Sequence, residues 1–135
     1  MLAVVRSKLY DNRIIVLLIG VVACIAYLPT VQPDISATNI SVFTDVGSIQ
    51  DALAQWGTLH STGYPLFSFL GAVFVWLLHF IGVAPALSAS LFSTVWAIAT
   101  LVMFYLLIDY WLDDQLVALA ATAVLGTGWA YWLFA

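Results

Sequence analysis

The side chains best suited to acid–base or ligand chemistry lie in one polar stretch, residues 32–63. Asp45 is the first candidate, because a carboxylate can act as a general base on an acceptor hydroxyl or hold a divalent cation that binds phosphate. A structural role competes with this one, since an aspartate at a helix start accepts hydrogen bonds from the first-turn amides and stabilises the helix by about 1 kcal/mol. The residues alone favour the cap, because caps are far more common than catalytic carboxylates.

Two further residues of this stretch also allow a chemical and a structural interpretation. Asp51 is a second carboxylate, and a solvated position on a helix face is its simpler explanation. His60 lies where the polar stretch turns toward the next apolar run, and Gly63 and Pro65 are typical of such a turn. A histidine there can also donate a hydrogen bond, act as an acid or bind phosphate. The sequence contains no metal-ligand cluster, nucleophile triad, P-loop or dinucleotide fingerprint.

The composition indicates which kind of molecule positions these residues. The chain of 135 residues is 64% hydrophobic and only 7% charged. Soluble domains carry about 25% charged residues, so a bilayer is the expected solvent. We predict an all-α membrane protein, a single transmembrane module with an outer loop at residues 32–64. Four apolar runs have about the length that a bilayer requires, at about 14–31, 65–81, 87–111 and 115–135.

A short interfacial helix is predicted inside the outer loop. Ile49, Leu53 and Trp56 repeat at helical spacing and form one apolar face. Asp45 stands where an N-cap belongs, and Gly57 stands where a C-terminal stop belongs. The helix therefore brings both carboxylates of the stretch close to the membrane surface.

The basic residues predict the orientation in the membrane. All of them precede the first apolar run: Arg6, Lys8 and Arg13. The positive-inside rule then places the N-terminus in the cytoplasm and the first loop outside, in a multi-pass protein of the bacterial inner membrane. Counting four crossings places the turn at 82–85 inside and Asp109 outside. No basic patch follows, so nucleic acid is not an expected partner.

Small residues recur at four-residue steps in the last two predicted spans. They are Ala86, Ser90 and Thr94, then Ala118, Thr122, Gly126 and Ala130. Such faces permit close helix packing. Since the sequence stops within an apolar run, we expect a fragment of a longer chain whose remaining transmembrane helices cover these faces. The alternative is a small structural membrane subunit with a separate partner protein.

The segment 44–67 resembles the N-terminal signature of the protein O-mannosyltransferase-like family. That family has an acidic element in the first outer loop, then Leu-Gly, then His-Pro-Pro-Gly-Tyr-Pro-Leu before the second span. Ser48 stands where the family usually has Glu, and Ser61 and Thr62 replace the Pro pair. The matching residues are Asp45, Gly47, Gly57, His60, Gly63, Tyr64, Pro65 and Leu66.

The resemblance implies a GT-C membrane glycosyltransferase, which moves a sugar from a polyprenyl phosphate donor to an extracytoplasmic acceptor. It implies that Asp45 is the catalytic base or a metal-organising carboxylate. His60 and Tyr64 would shape the donor site, and Asp51 would replace the missing Glu at position 48. The rival from another class is a transporter or flippase that binds the same lipid-linked sugar without cleaving a bond.

The resemblance also implies a need for positive charge. A polyprenyl phosphate is anionic, and no Lys or Arg follows Arg13. The remaining helices of the parent chain or a divalent cation must then counter the phosphate charge. We therefore expect the isolated 135 residues to be inactive in sugar transfer.

Overall fold

The computed structural model describes residues 2–34, 41–58 and 64–128, and it describes side chains from residue 12 onward except at 41–45. Every regular element in these ranges is helical, which confirms the all-α prediction. A 3₁₀ turn at Leu28–Thr30 follows the first helix. The α-helices are α1 Leu2–Tyr27, α2 Ser41–Ala54, α3 Pro65–Phe80, α4 Pro85–Leu112 and α5 Gln115–Thr127.

Two helical segments are long and apolar enough to cross a membrane. They are Asn12–Thr30, with 19 residues, and Pro85–Leu112, with 28 residues. They coincide with the predicted spans at 14–31 and 87–111. The other two apolar helices are shorter: α3 has 16 residues and α5 has 13. The predicted fourth span extends to residue 135 and lies partly outside the described residues.

The described helices fall into two compact units. The first unit contains α1, α5 and the part of α4 from Trp96 onward. The second unit contains α2, α3 and the part of α4 up to Val95. Each unit has its own apolar core, so each is described separately.

The core of the first unit joins the end of α1 to α4 and α5. Ala23, Tyr27 and Leu101 are buried there, with Leu125 packed against them. The Tyr27 hydroxyl donates a hydrogen bond of 2.7 Å to the main-chain carbonyl of Gly126. A phenol buried in an apolar core needs such a partner, because an unpaired polar group there costs about 1–3 kcal/mol.

A polar cluster surrounds Asn12, about four turns before Tyr27 in α1. Asn12 donates from Nδ2 to Asp109 Oδ2 at 2.9 Å. Its Oδ1 accepts from the Tyr105 hydroxyl at 3.1 Å and from Gln115 Nε2 at 2.9 Å. Asp109 is 3% exposed and Tyr105 is 0% exposed. Asn12 therefore connects α1 to α4 and α5 through three hydrogen bonds.

This cluster bears on the predicted placement of Asp109. Within the first unit, α1 and α4 run antiparallel, because Asn12 in α1 contacts the C-terminal part of α4. Three full crossings between Asn12 and Asp109 would separate them by roughly 30 Å of hydrocarbon, which does not fit a direct hydrogen bond. We therefore expect an even number of crossings between them, and the two candidate spans in α1 and α4 suit that hypothesis.

The second unit is built around the contact between α2 and α3. Leu53, Val75, Ala89 and Phe92 form its buried core, and Ile49 packs against them. The apolar face predicted for the interfacial helix is thus confirmed at Ile49 and Leu53, which pack against this core.

Close approach of α2 to α3 depends on a glycine. A Cβ atom added at Gly71 would lie 2.7 and 2.8 Å from the two Leu53 methyl carbons. Such a side chain would overlap Leu53, so the absence of a side chain at position 71 lets α2 pack here without a shift of the buried Leu53.

The small-residue faces are largely covered within the chain itself. Thr94 is 2% exposed, Ala118 is 0% exposed and Thr122 is 5% exposed. Gly126 is also buried, whereas Ala130 lies outside the described residues. These four residues are therefore buried within their own units, and the expectation that further helices cover the faces stays a prediction.

Candidate functional site

The helix that carries Asp45 begins earlier than predicted. α2 starts at Ser41, so Asp45 lies in its second turn and the N-cap interpretation is wrong. The apolar repeat that marked the helix begins only at Ile49, whereas the helical backbone includes one further turn on the N-terminal side of Asp45. The side chain of Asp45 lies outside the described residues.

The periodicity of α2 divides its residues between an inner and an outer side. Gly47, Gln50 and Leu53 are buried, whereas Ser48 and Asp51 are exposed. Successive residues of an α-helix are about 100° apart, so positions 45 and 48 are separated by about 60° around the helix axis, and positions 48 and 51 by about another 60°. We call these three positions, 45, 48 and 51, the acidic face of α2.

Asp51 is a solvated carboxylate of this acidic face. It is exposed, and its Oδ1 accepts a hydrogen bond from the Gln55 side chain one helical turn later. Asp51 thus has the position that its simpler interpretation predicted. An exposed carboxylate at this place can also contact a ligand that approaches the acidic face.

The C-terminal end of α2 is fixed by main-chain hydrogen bonding. The Gly57 amide donates to the Ala52 carbonyl at 2.7 Å. The left-handed residue is Trp56, with φ of 56°, and not the predicted Gly57. A non-glycine residue in this conformation costs roughly 1–2 kcal/mol. Trp56 contacts the Phe69 ring edge-on at 6.5 Å between ring centroids.

Tyr64 precedes α3 in an unusual conformation. Its φ of 35° and ψ of 58° are left-handed, and its side chain is 55% exposed. Pro65 occupies the first turn of α3, as the sequence predicted. His60 lies outside the described residues, so its proposed role remains a prediction. The described part of the chain contains no hydrogen bond between Tyr64 and Asp51.

Gln50 is a residue that sequence reasoning missed. It is 2% exposed, and its Nε2 donates to Ser90 Oγ at 2.8 Å and to the Asp34 carbonyl at 3.3 Å. The available signal was its helical spacing from Leu53, which places a polar side chain on the apolar face of α2. Polar residues in such positions need buried partners.

The described side chains form no group of three His, Cys, Asp or Glu that could hold a metal ion. Of the acidic face, the described side chains are those of Ser48 and Asp51; both are exposed, while Leu53 on the inner side of α2 is buried in the core. This arrangement can present a carboxylate to a ligand at a fixed orientation. The composition, the two long apolar helices and the all-helical fold define the chain as a membrane protein.

The chain belongs to the family described as Protein O-mannosyl-transferase TMEM260 N-terminal domain. The family model matches residues 45–130. The match confirms the resemblance in the outer loop. It begins at Asp45 and includes α3, α4 and α5. No curated protein and no solved structure matches the chain significantly.

Proposed function

We propose that the chain is part of a membrane glycosyltransferase that moves a sugar from a polyprenyl phosphate donor to an extracytoplasmic acceptor. The observation that carries this proposal is the family match, which begins at Asp45 and extends through the described helices after α2. The family is named for protein O-mannosyl transfer, so mannose is the first sugar to test. The whole enzyme would be a GT-C bundle.

Asp45 is assigned the role of general base. The acceptor hydroxyl attacks the anomeric carbon of the donor sugar while its proton passes to the Asp45 carboxylate. The bond between the anomeric carbon and the phosphate oxygen breaks, and polyprenyl phosphate leaves with the bonding electron pair. Attack from the opposite side inverts the anomeric centre. Positioned proton transfer of this kind contributes about 10²–10⁴-fold to a rate.

The other predicted site residues bind the donor in this proposal. Asp51 stands on the same acidic face and supplies the second carboxylate in place of the residue at 48. Tyr64 is exposed at the start of α3, where it can contact the sugar or the lipid chain. His60 contributes a hydrogen bond to the donor phosphate.

The donor phosphate must be neutralised by groups from elsewhere. No Lys or Arg follows Arg13 in the sequence, so the countercharge comes from further transmembrane helices or from a divalent cation. The basic residues in the N-terminal part of α1, before its apolar run, favour a cytoplasmic N-terminus, so that α2 lies on the extracytoplasmic side of a bacterial inner membrane in this proposal. Lipid-linked donors are accessible on that side.

The direct test of this function compares sugar transfer from two chemical classes of donor. The protein at its natural length, reconstituted in liposomes, should transfer labelled mannose from a polyprenyl phosphate donor to a peptide or glycan acceptor and should release polyprenyl phosphate. A nucleotide-linked mannose should give no product. If the lipid-linked donor binds and crosses the bilayer without any product, the transporter alternative replaces this proposal.

A further inference from the structure

Gln50 is a buried polar side chain on the same helix as Asp45. Its Nε2 donates hydrogen bonds to different parts of the second unit: Ser90 on α4, and the main-chain carbonyl of Asp34 in the segment before α2. One side chain therefore connects α2 to a long helix and to the chain that leads into α2. The neighbouring Leu53 packs against α3 through Gly71.

Ser90 is well placed to receive this hydrogen bond. Its Oγ donates to the Ala86 carbonyl at 3.2 Å, so its hydrogen is already used within α4. The Ser90 oxygen can then only accept, and the amide nitrogen of Gln50 is a donor. The hydrogen bond can therefore form in one direction only, from the Gln50 amide to the Ser90 oxygen.

Apolar packing alone would define the orientation of α2 less sharply. Burial of Ile49 and Leu53 is favourable over a range of rotations, because the hydrophobic effect is not directional. Hydrogen bonds weaken steeply when their geometry is lost. A rotation by one residue, about 100°, would break both Gln50 contacts and would turn Asp51 toward the core.

We propose that Gln50 is a positioning residue for sugar transfer. Its hydrogen bonds to Ser90 and to the Asp34 carbonyl fix the rotation of α2, and so the place from which Asp45 acts on the acceptor. This inference rests on the proposed function. Gln50 lies on the opposite side of the helix from the acidic face. It therefore acts on sugar transfer without touching the substrate.

The kinetic test replaces Gln50 by methionine, which has a similar volume and no hydrogen-bonding amide. Gln50→Met should lower kcat at least tenfold and leave KM for the polyprenyl phosphate donor within twofold, because misplacing a reacting group slows the chemical step. Ser90→Ala should lower kcat in the same direction, and the double variant should be no slower than Gln50→Met. Ser93→Ala, three residues further along α4, is the matched control and should keep the wild-type kcat.

A second measurement reads the rotation of α2 without any activity. Single cysteines replace exposed Ser48 or half-buried Ile49 in a Cys24→Ser background, and a water-soluble maleimide labels them. Position 48 should react much faster than position 49 when Gln50 is present. Gln50→Met should reduce this ratio at least threefold.

The two measurements separate the inference from the function on which it rests. An unchanged labelling ratio in Gln50→Met overturns the inference, whether or not the protein transfers sugar. If the wild type transfers sugar and Gln50→Met has the same kcat, the inference is overturned as well. If the wild type transfers no sugar from any polyprenyl phosphate donor, the proposed function fails, and the labelling ratio alone decides whether Gln50 orients α2.

Discussion

Asp109 illustrates at the residue scale how burial can depend on partners that are remote in sequence. The acid lies near two others, Asp113 and Asp114, at the end of α4, yet its side chain is only 3% exposed. Its partner Asn12 is 97 residues away, and the hydrogen bond between them is 2.9 Å. Spacing along a chain cannot reveal such a partner. The spacing of Gln50 from Leu53 could have indicated its burial but not its partner on α4, whereas the exposure of Asp51 followed from its place on the polar side of α2.

Asn12→Leu tests the polar cluster of the first unit. The substitution keeps the side-chain volume but removes hydrogen bonds to Tyr105, Asp109 and Gln115, so we expect a loss of about 1–3 kcal/mol in the free energy of unfolding. The measurement is thermal or denaturant unfolding of the purified protein in detergent. Gln55→Leu, at an exposed position of α2, should change stability by less than about 0.5 kcal/mol.

The unfolding midpoint of Asn12→Leu is compared with that of the wild type. Equal unfolding midpoints for Asn12→Leu and the wild protein would show that the cluster contributes nothing to stability. Asn12→Asp should destabilise more than Asn12→Leu, because it places a second carboxylate against Asp109 in a buried site.

At the scale of the elements, hydropathy and helical spacing predicted that each helix exists, but not where each one begins. α2 begins at Ser41, before the apolar repeat that marked it, and ends at Ala54, close to the predicted stop. Its inner side followed from the spacing of Ile49 and Leu53. The spacing in α2 did not reveal the close contact with Gly71, because the side chains of both helices determine how closely two helices can pack.

Gly71→Ala tests the contact between α2 and α3. The new Cβ would overlap both Leu53 methyl groups, so Leu53 must move and the second unit should lose about 1–3 kcal/mol. Gly20→Ala is the matched control, because a Cβ at Gly20 in α1 meets nothing within 4 Å. Helix propensity alone should make that control neutral or more stable by about 0.5–1 kcal/mol.

The unfolding midpoints of Gly71→Ala and Gly20→Ala show whether α2 packs closely against α3. Similar midpoints for Gly71→Ala and Gly20→Ala would mean that α2 does not approach α3 as closely as described. A loss confined to Gly71→Ala would support the close contact. The labelling of a cysteine at half-buried position 49 should rise in that variant only if α2 also moves.

At the scale of the whole molecule, counting apolar runs predicted a membrane protein correctly, whereas the number of crossings and their sides stay predictions. Hydropathy identifies apolar helices, and it does not tell which of them cross. Among the described residues, Asn12–Thr30 and Pro85–Leu112 are long and apolar enough for a crossing. The hydrogen bond between Asn12 and Asp109 favours an even number of crossings between these two residues.

Cysteine accessibility tests this arrangement of sides. In a Cys24→Ser background, we expect a membrane-impermeant maleimide added outside intact cells to label Gln32→Cys and Ala84→Cys. Leu112→Cys should react only after the membrane is permeabilised, because α4 returns the chain to the side of Asn12. Four full crossings would give the opposite result at positions 84 and 112.

The role of Asp45 is the central claim, and its direct measurement is the rate of mannose transfer by Asp45→Asn at the natural length of the protein. Asparagine keeps the shape of the side chain but cannot accept a proton as a base, so kcat should fall about 10²–10⁴-fold with the donor KM nearly unchanged. Asp34→Asn, an exposed acid of the same loop, is the control and should keep the wild-type rate. A wild-type rate in Asp45→Asn would contradict the account.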